Sequence, residues 1–183
     1  MESKERKING FTIIELLVSM FIIIVLSTIL VARYRGANPD YTLTQAAQKM
    51  VSDIRRAQNM SMNGTEINST TGYSGYGIYM KPSDSNTSYK FYADKNGNQK
   101  FDSEASDQKI GDDIRLPSKV VIDSITFGSL VNRADIFFLP PNPTTFINGS
   151  SNGSNDLIIT LKEQSTSHTK TVRVTLAGLI EAQ

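Results

Sequence analysis

Two places in this sequence of 183 residues set polar side chains where chemistry could follow. One is Glu15, the only charged residue in a long apolar run. The other is Asp94-Lys95-Asn96-Gly97-Asn98-Gln99-Lys100-Phe101-Asp102-Ser103-Glu104, a stretch rich in oxygen donors. Elsewhere the inventory is restrictive. With no cysteine, thiol catalysis, Cys-based zinc sites and disulfides are all excluded, and a single histidine, His168, cannot build a multi-histidine metal centre. Most familiar enzyme sites are therefore missing, and the chain reads as a non-enzyme. A net charge of +1 gives no basic field for nucleic acid.

In the second stretch, Asp94, Asn96, Asn98 and Asp102 occupy positions one, three, five and nine of a loop. That matches the early half of a calcium loop, which needs hard oxygen ligands converging on one cation. The later half departs from the pattern. Ala105 stands where a bidentate acid would close the loop, and the glycine is Gly97, not the sixth residue, Gln99. Glu104, Asp107, Asp112 or Asp113 could complete a site only if the chain turned back. A polar hairpin turn explains the Asn-Gly-Asn core equally well. Calcium is thus a possible ligand here, and no other cofactor is indicated.

The run 11–32 is apolar except for Thr12, Glu15, Ser19, Ser27 and Thr28. As a helix at roughly 1.5 Å per residue it would reach about 33 Å, enough for a hydrocarbon layer of about 30 Å. It is too long for the apolar core of a cleaved secretory signal. A plain membrane anchor would explain its composition but not Glu15. An acidic side chain at the centre of a membrane helix costs roughly 2.5–3.5 kcal/mol, and such residues usually face a partner.

Just ahead of this run lies a polar leader containing Lys4, Arg6 and Lys7 and ending in Gly10, followed by Phe11-Thr12-Ile13-Ile14-Glu15. This Gly-Phe-Thr-x-x-Glu junction, opening an unbroken apolar helix, closely resembles the leader of type IV prepilins and type II secretion pseudopilins. The resemblance implies cleavage between Gly10 and Phe11 by a prepilin peptidase, then N-methylation of the new Phe11 amine. It also implies that Glu15 pairs with the N-terminal amine of a neighbouring subunit during assembly. A nearby cation in a low dielectric favours the ionised carboxylate, which suits that role.

Beyond Arg33-Tyr34-Arg35, the segment Gly36-Ala37-Asn38-Pro39 reads as a break or kink and a fresh helix start, with Asn38 as N-cap and Pro39 in the first turn. Leu43, Ala46, Ala47, Met50, Val51, Ile54 and Ala57 then recur at spacings of three and four, one apolar stripe that predicts a helix packed on a soluble domain, ended by Asn63-Gly64. The stretch 46–58 is similar to the second half-helix of the H-type pseudopilin and FimT-type minor pilin group.

Past residue 63, short β-type runs alternate with Ser, Thr, Asn and Gly. Strands are expected at 75–81, 89–93, 120–127, 134–139, 157–162 and 171–176, with a short return at 179–180. The connections hold no crossover helix, so the strands should pair antiparallel. Two long loops, 63–74 and 140–156, are expected at the surface.

The expected fold class is α+β: a long N-terminal helix, membrane-spanning then amphipathic, packed on an antiparallel β-rich head. Residues 1–10 form a leader peptide, 11–32 a transmembrane helix, 33–63 an amphipathic helix and 64–183 the head. The resemblance implies a minor pilin or pseudopilin, with other pilin or pseudopilin subunits, the prepilin peptidase and an inner-membrane assembly platform as partners. The protein would sit in the inner membrane by a single pass, head outside the cytoplasm, before entering a pilus or pseudopilus. The alternative is a membrane-anchored or filament-tip module binding a surface ligand or DNA. The tail 171–180 resembles the final hairpin of that same H-type group, whose DNA-uptake members carry basic residues around the closing glycine; with no basic cluster after Gly178, the resemblance disfavours DNA.

Overall fold

The computed structural model describes residues 12–34, 39–64, 72–142 and 144–183. Met1–Ala37 and Asn38–Gln183 are separate compact units. In the first, α1 spans Ile13–Tyr34. Thr12 opens it, its hydroxyl accepting a hydrogen bond from the Glu15 amide at 3.3 Å and its carbonyl one from the Leu16 amide at 3.1 Å. This satisfies an amide that the first helical turn leaves without an intrahelical partner.

The second unit begins with α2, Pro39–Met62. All seven residues of the predicted stripe are buried, none more than 7 % exposed. Two residues past the helix Gly64 takes φ = 56°, the left-handed stop that a residue without Cβ adopts at little cost. The expected N-cap Asn38 and residues 36–38 of the expected break 36–39 fall outside the described residues, as does most of the expected loop 63–74.

Eleven strands follow among the described residues. β1 (Gly75–Met80), β2 (Ser88–Asp94), β3 (Gln108–Lys109), β4 (Ile114–Arg115), β7 (Ala134–Leu139) and β8 (Thr144–Ile147) make one sheet. Its order is β3-β2-β1-β7-β8, with β4 sharing the β2 edge with β3. β5 (Val120–Phe127), β6 (Ser129–Val131), β9 (Leu157–Glu163), β10 (Thr169–Val174) and β11 (Ile180–Ala182) make the other, ordered β11-β10-β9-β5-β6. Every pairing is antiparallel. The α+β class is as expected. The loop expected over 140–156 is corrected: 144–147 forms β8 and pairs with β7.

The main core joins the α2 stripe to both sheets, through Tyr76, Ile78 and Met80 of β1, Ile136 and Phe138 of β7, Ile159 and Leu161 of β9, and Val172 and Val174 of β10. Polar ties fix the helix over it. The Tyr89 hydroxyl donates to Asp53 at 2.6 Å, Arg55 donates to the Ile180 carbonyl at 2.7 Å, and the Tyr76 amide donates to the Ser61 hydroxyl at 3.0 Å. On the sheet containing β1, the residues between those of the main core form a second cluster. Tyr92 and Phe137 pack there against Phe101, with Tyr79, Leu139 and Phe146 around them. Both faces of this sheet are covered, so β1 and β7 read as continuous buried runs without strict alternation.

Candidate functional site

The chemistry expected at the amino end centres on Gly10, Phe11 and Glu15. Gly10 and Phe11 lie outside the described residues. Glu15 stands in the first turn of α1, three residues after the capping Thr12, and its carboxylate engages no other described residue. A Thr-x-x-Glu start is the pattern of a capping box, of which the Thr12 half is formed. Further along, Ser19 and Thr28 turn their hydroxyls back to the carbonyls four residues earlier, Glu15 and Ile24, so their polarity is satisfied within the helix.

Apart from Ser27, the rest of this helix's described surface is apolar. From Ile13 to Leu26 its large hydrophobic side chains are 42–83 % exposed, including Ile13, Leu17, Phe21 and Ile24. A helix apolar on every face is stable only when lipid or other helices surround it. The expected transmembrane segment 11–32 is nonetheless not established by the structure. Among the described residues no helix is long and apolar enough to cross a membrane. The side chains described, Thr12 to Thr28, reach about 25 Å at roughly 1.5 Å per residue, short of a hydrocarbon layer of about 30 Å.

The second candidate, the 94–107 loop, is organised by carboxylates accepting backbone amides. Asp94, fully buried at the end of β2, accepts from the amides of Asn96 (3.1 Å), Gly97 (2.8 Å) and Gln99 (2.9 Å). Asp102 accepts the side-chain amides of Asn96 and Asn98. The chain does turn back, bringing Asp107 to the amides of Lys95 (3.3 Å) and Asp102 (2.9 Å). Glu104 and Asp113 instead turn to lysines: Lys90 meets Glu104 at 2.7 Å and Lys109 meets Asp113 at 3.0 Å. The four predicted ligands are therefore neighbours, each occupied by loop hydrogen bonds. Among the described residues no group of three or more acidic or histidine side chains is arranged to hold a metal.

Asp135 is the participant that sequence reasoning missed. Buried completely in β7, it accepts from the Tyr92 hydroxyl at 2.5 Å and from the Phe101 amide at 2.6 Å, with Arg133 at 3.6 Å. The bond to Phe101 seats that ring 4.7 Å from Tyr79 and 5.3 Å from Tyr92, closing the outer cluster. Burial lifts the Asp135 carboxyl from the ordinary 3.8 to about 6, against the pull of these donors and Arg133. Burial also raises Asp107, with the charges of Asp94 and Asp102 adding to the rise. An acid at the head of the apolar segment Ala-Asp-Ile-Phe-Phe-Leu was the available signal, since a charge is seldom buried without partners.

The loop thus fastens a cap over the sheet, its Asp94, Asp102 and Asp107 accepting hydrogen bonds from within the loop. Of the expected site residues among the described ones, Glu15 is left with a side chain that engages no other described residue. No match to the chain was found among curated proteins or among solved structures. Residues 6–31, which contain Gly10, Phe11 and Glu15, match the family model described as the prokaryotic N-terminal methylation motif, the leader type that marks type IV pilin-like proteins and pseudopilins.

Proposed function

We propose that this protein is a structural subunit, a minor pilin or pseudopilin of the H-type group, that enters a filament through α1. It is made with its apolar run 11–32 in the inner membrane and its head outside the cytoplasm. A prepilin peptidase cleaves between Gly10 and Phe11, and the Phe11 amine is methylated. The observation that carries this reading is α1 itself: apolar and exposed on every described face, with a single acid in its first turn, inside the matched motif.

The physical logic is one of unmet demand. The apolar surface of α1 must be taken up by lipid before assembly and by neighbouring helices after it. Glu15 in that setting needs a cation, since an unpaired carboxylate in a low dielectric is strongly disfavoured. Cleavage creates one on each subunit, at the Phe11 amine, within reach only for a neighbour packed in register. Partners are accordingly other pilin or pseudopilin subunits and the assembly platform, and the head needs no bond-making chemistry.

Glu15→Ala tests this. The variant should accumulate in the membrane at the wild-type level and be processed, yet disappear from sheared filaments or the assembled pseudopilus. Incorporation at the wild-type level would refute the pairing role.

A further inference from the structure

Four Asn-Gly pairs lie among the described residues, at 63–64, 96–97, 148–149 and 152–153. Such a pair can modify itself, because the glycine nitrogen, with no Cβ beside it, can approach the asparagine side-chain carbonyl. Whether it does depends on the freedom of both groups, and the fold treats the four differently.

Three are restrained. The Gly97 amide donates to Asp94 at 2.8 Å, and the Asn96 side-chain amide donates to Asp102 at 3.1 Å. Asn148 is held at both ends, its oxygen accepting from the Asp135 amide at 3.0 Å and its nitrogen donating to the Arg133 carbonyl at 3.4 Å. Asn63 continues the helical hydrogen bonding of α2, its amide donating to the Asn59 carbonyl at 3.0 Å, and the Gly64 amide donates to the Ser61 carbonyl at 3.4 Å.

At 152–153 both residues are exposed, and neither the Asn152 side chain nor the Gly153 amide has a partner among the described residues. One contact does reach this peptide unit. The Ser150 hydroxyl donates to the Asn152 carbonyl at 3.0 Å. When the Gly153 nitrogen loses its proton, the negative charge spreads onto that same carbonyl oxygen. A donor already aimed where charge develops lowers the barrier to forming the nucleophile.

We propose that Ser150-Ser151-Asn152-Gly153 is a self-modifying site that slowly converts Asn152 to aspartate and isoaspartate. The Gly153 nitrogen gives its proton to water or hydroxide and bonds to the Asn152 side-chain carbonyl carbon. The bond from that carbon to Nδ2 breaks, and Nδ2 takes a proton and leaves as ammonia. Water then opens the five-membered imide at either carbonyl, leaving a carboxylate and no change in oxidation state. The product adds a negative charge to the head surface four residues before Asp156, which holds Arg173 at 2.6 Å.

The test is to incubate the purified full chain at mildly alkaline pH and map its peptides by mass spectrometry over time. A gain of one mass unit should appear at Asn152 first, with Asn96 and Asn148 retaining their amides. Ser150→Ala should slow it roughly fivefold, which at 1.36 kcal/mol per tenfold is about 1 kcal/mol. Ser150→Thr, which keeps the hydroxyl, should restore most of the rate. The bridge between Ile147 and Ser150 uses backbone atoms, so the fold does not depend on that hydroxyl. The proposal fails if Asn152 stays intact, if Asn96 or Asn148 converts first, or if Ser150→Ala matches the wild-type rate.

Discussion

Asp135 makes the head's stability depend on pH in a direction opposite to that of most acids. Its carboxyl is lifted to about 6 in the fold from the 3.8 it has in an unfolded chain. The neutral acid is the form the folded site favours, so this group's contribution is fully present below 3.8 and is lost as pH rises through 6. A displacement of about two units corresponds to roughly 3 kcal/mol, at 1.36 kcal/mol per unit. Asp107, also raised, acts in the same sense. Glu163 acts oppositely, and lower: the Ser165 and Thr166 donors hold it down to about 2 from 4.5, so its contribution is present above 4.5 and lost as pH falls through 2.

Asp135→Asn isolates the effect. The amide can accept from the Phe101 amide with its oxygen and donate to the Tyr92 hydroxyl with its nitrogen, so both seats survive without a titrating charge. The assay is urea denaturation of the segment 38–183, the compact unit with its own core, followed across pH. The stability of the wild type relative to Asp135→Asn should fall by roughly 3 kcal/mol between about pH 4 and about pH 7. A difference that stays constant across that range would refute the argument.

Other parts of the head yield further expectations. At Gly77 an added Cβ would lie 2.7 Å from the Ile136 carbonyl and from the Tyr92 ring. Gly77→Ala should therefore cost about 1–3 kcal/mol, read from the denaturation midpoint, because backbone and a fully buried ring cannot give way. Asp94→Ala removes the acceptor for three backbone amides and should destabilise the head by about 1–3 kcal/mol in the same assay. Calcium at millimolar concentration should give the wild-type head no rise in melting temperature, since loop hydrogen bonds occupy the Asp94 and Asp102 oxygens. A clear rise would return these oxygens to an ion.

What could be read from the sequence followed the strength of each periodic signal. The α2 stripe was legible because seven apolar residues repeat at helical spacing and all face one core. The strands of six to eight residues, β1, β2, β5, β7, β9 and β10, were legible as β-type runs, with ends displaced by two residues at most. β3, β4 and β6 were not, because two or three residues cannot display a period. β8 was hidden in a segment of Pro, Asn and Gly, where Thr144-Thr145-Phe146-Ile147 is a strand only because β7 offers it an edge. The same holds for the loop acids. Spacing brought Asp94, Asn96, Asn98 and Asp102 to notice, but not Asp107 and Asp135, one folded back and the other on a different strand, which accept the loop's Lys95, Asp102 and Phe101 amides.

In the proposed function, a leader is removed at the amino end so that the new terminus can serve Glu15 of a neighbour. The direct measurement is the mass spectrum of the N-terminal peptide of the protein isolated from its producing cells. The account predicts a chain that begins at Phe11 and carries a methyl group on its α-amine. A chain that still begins at Met1 and is found only as single copies in the membrane would contradict it.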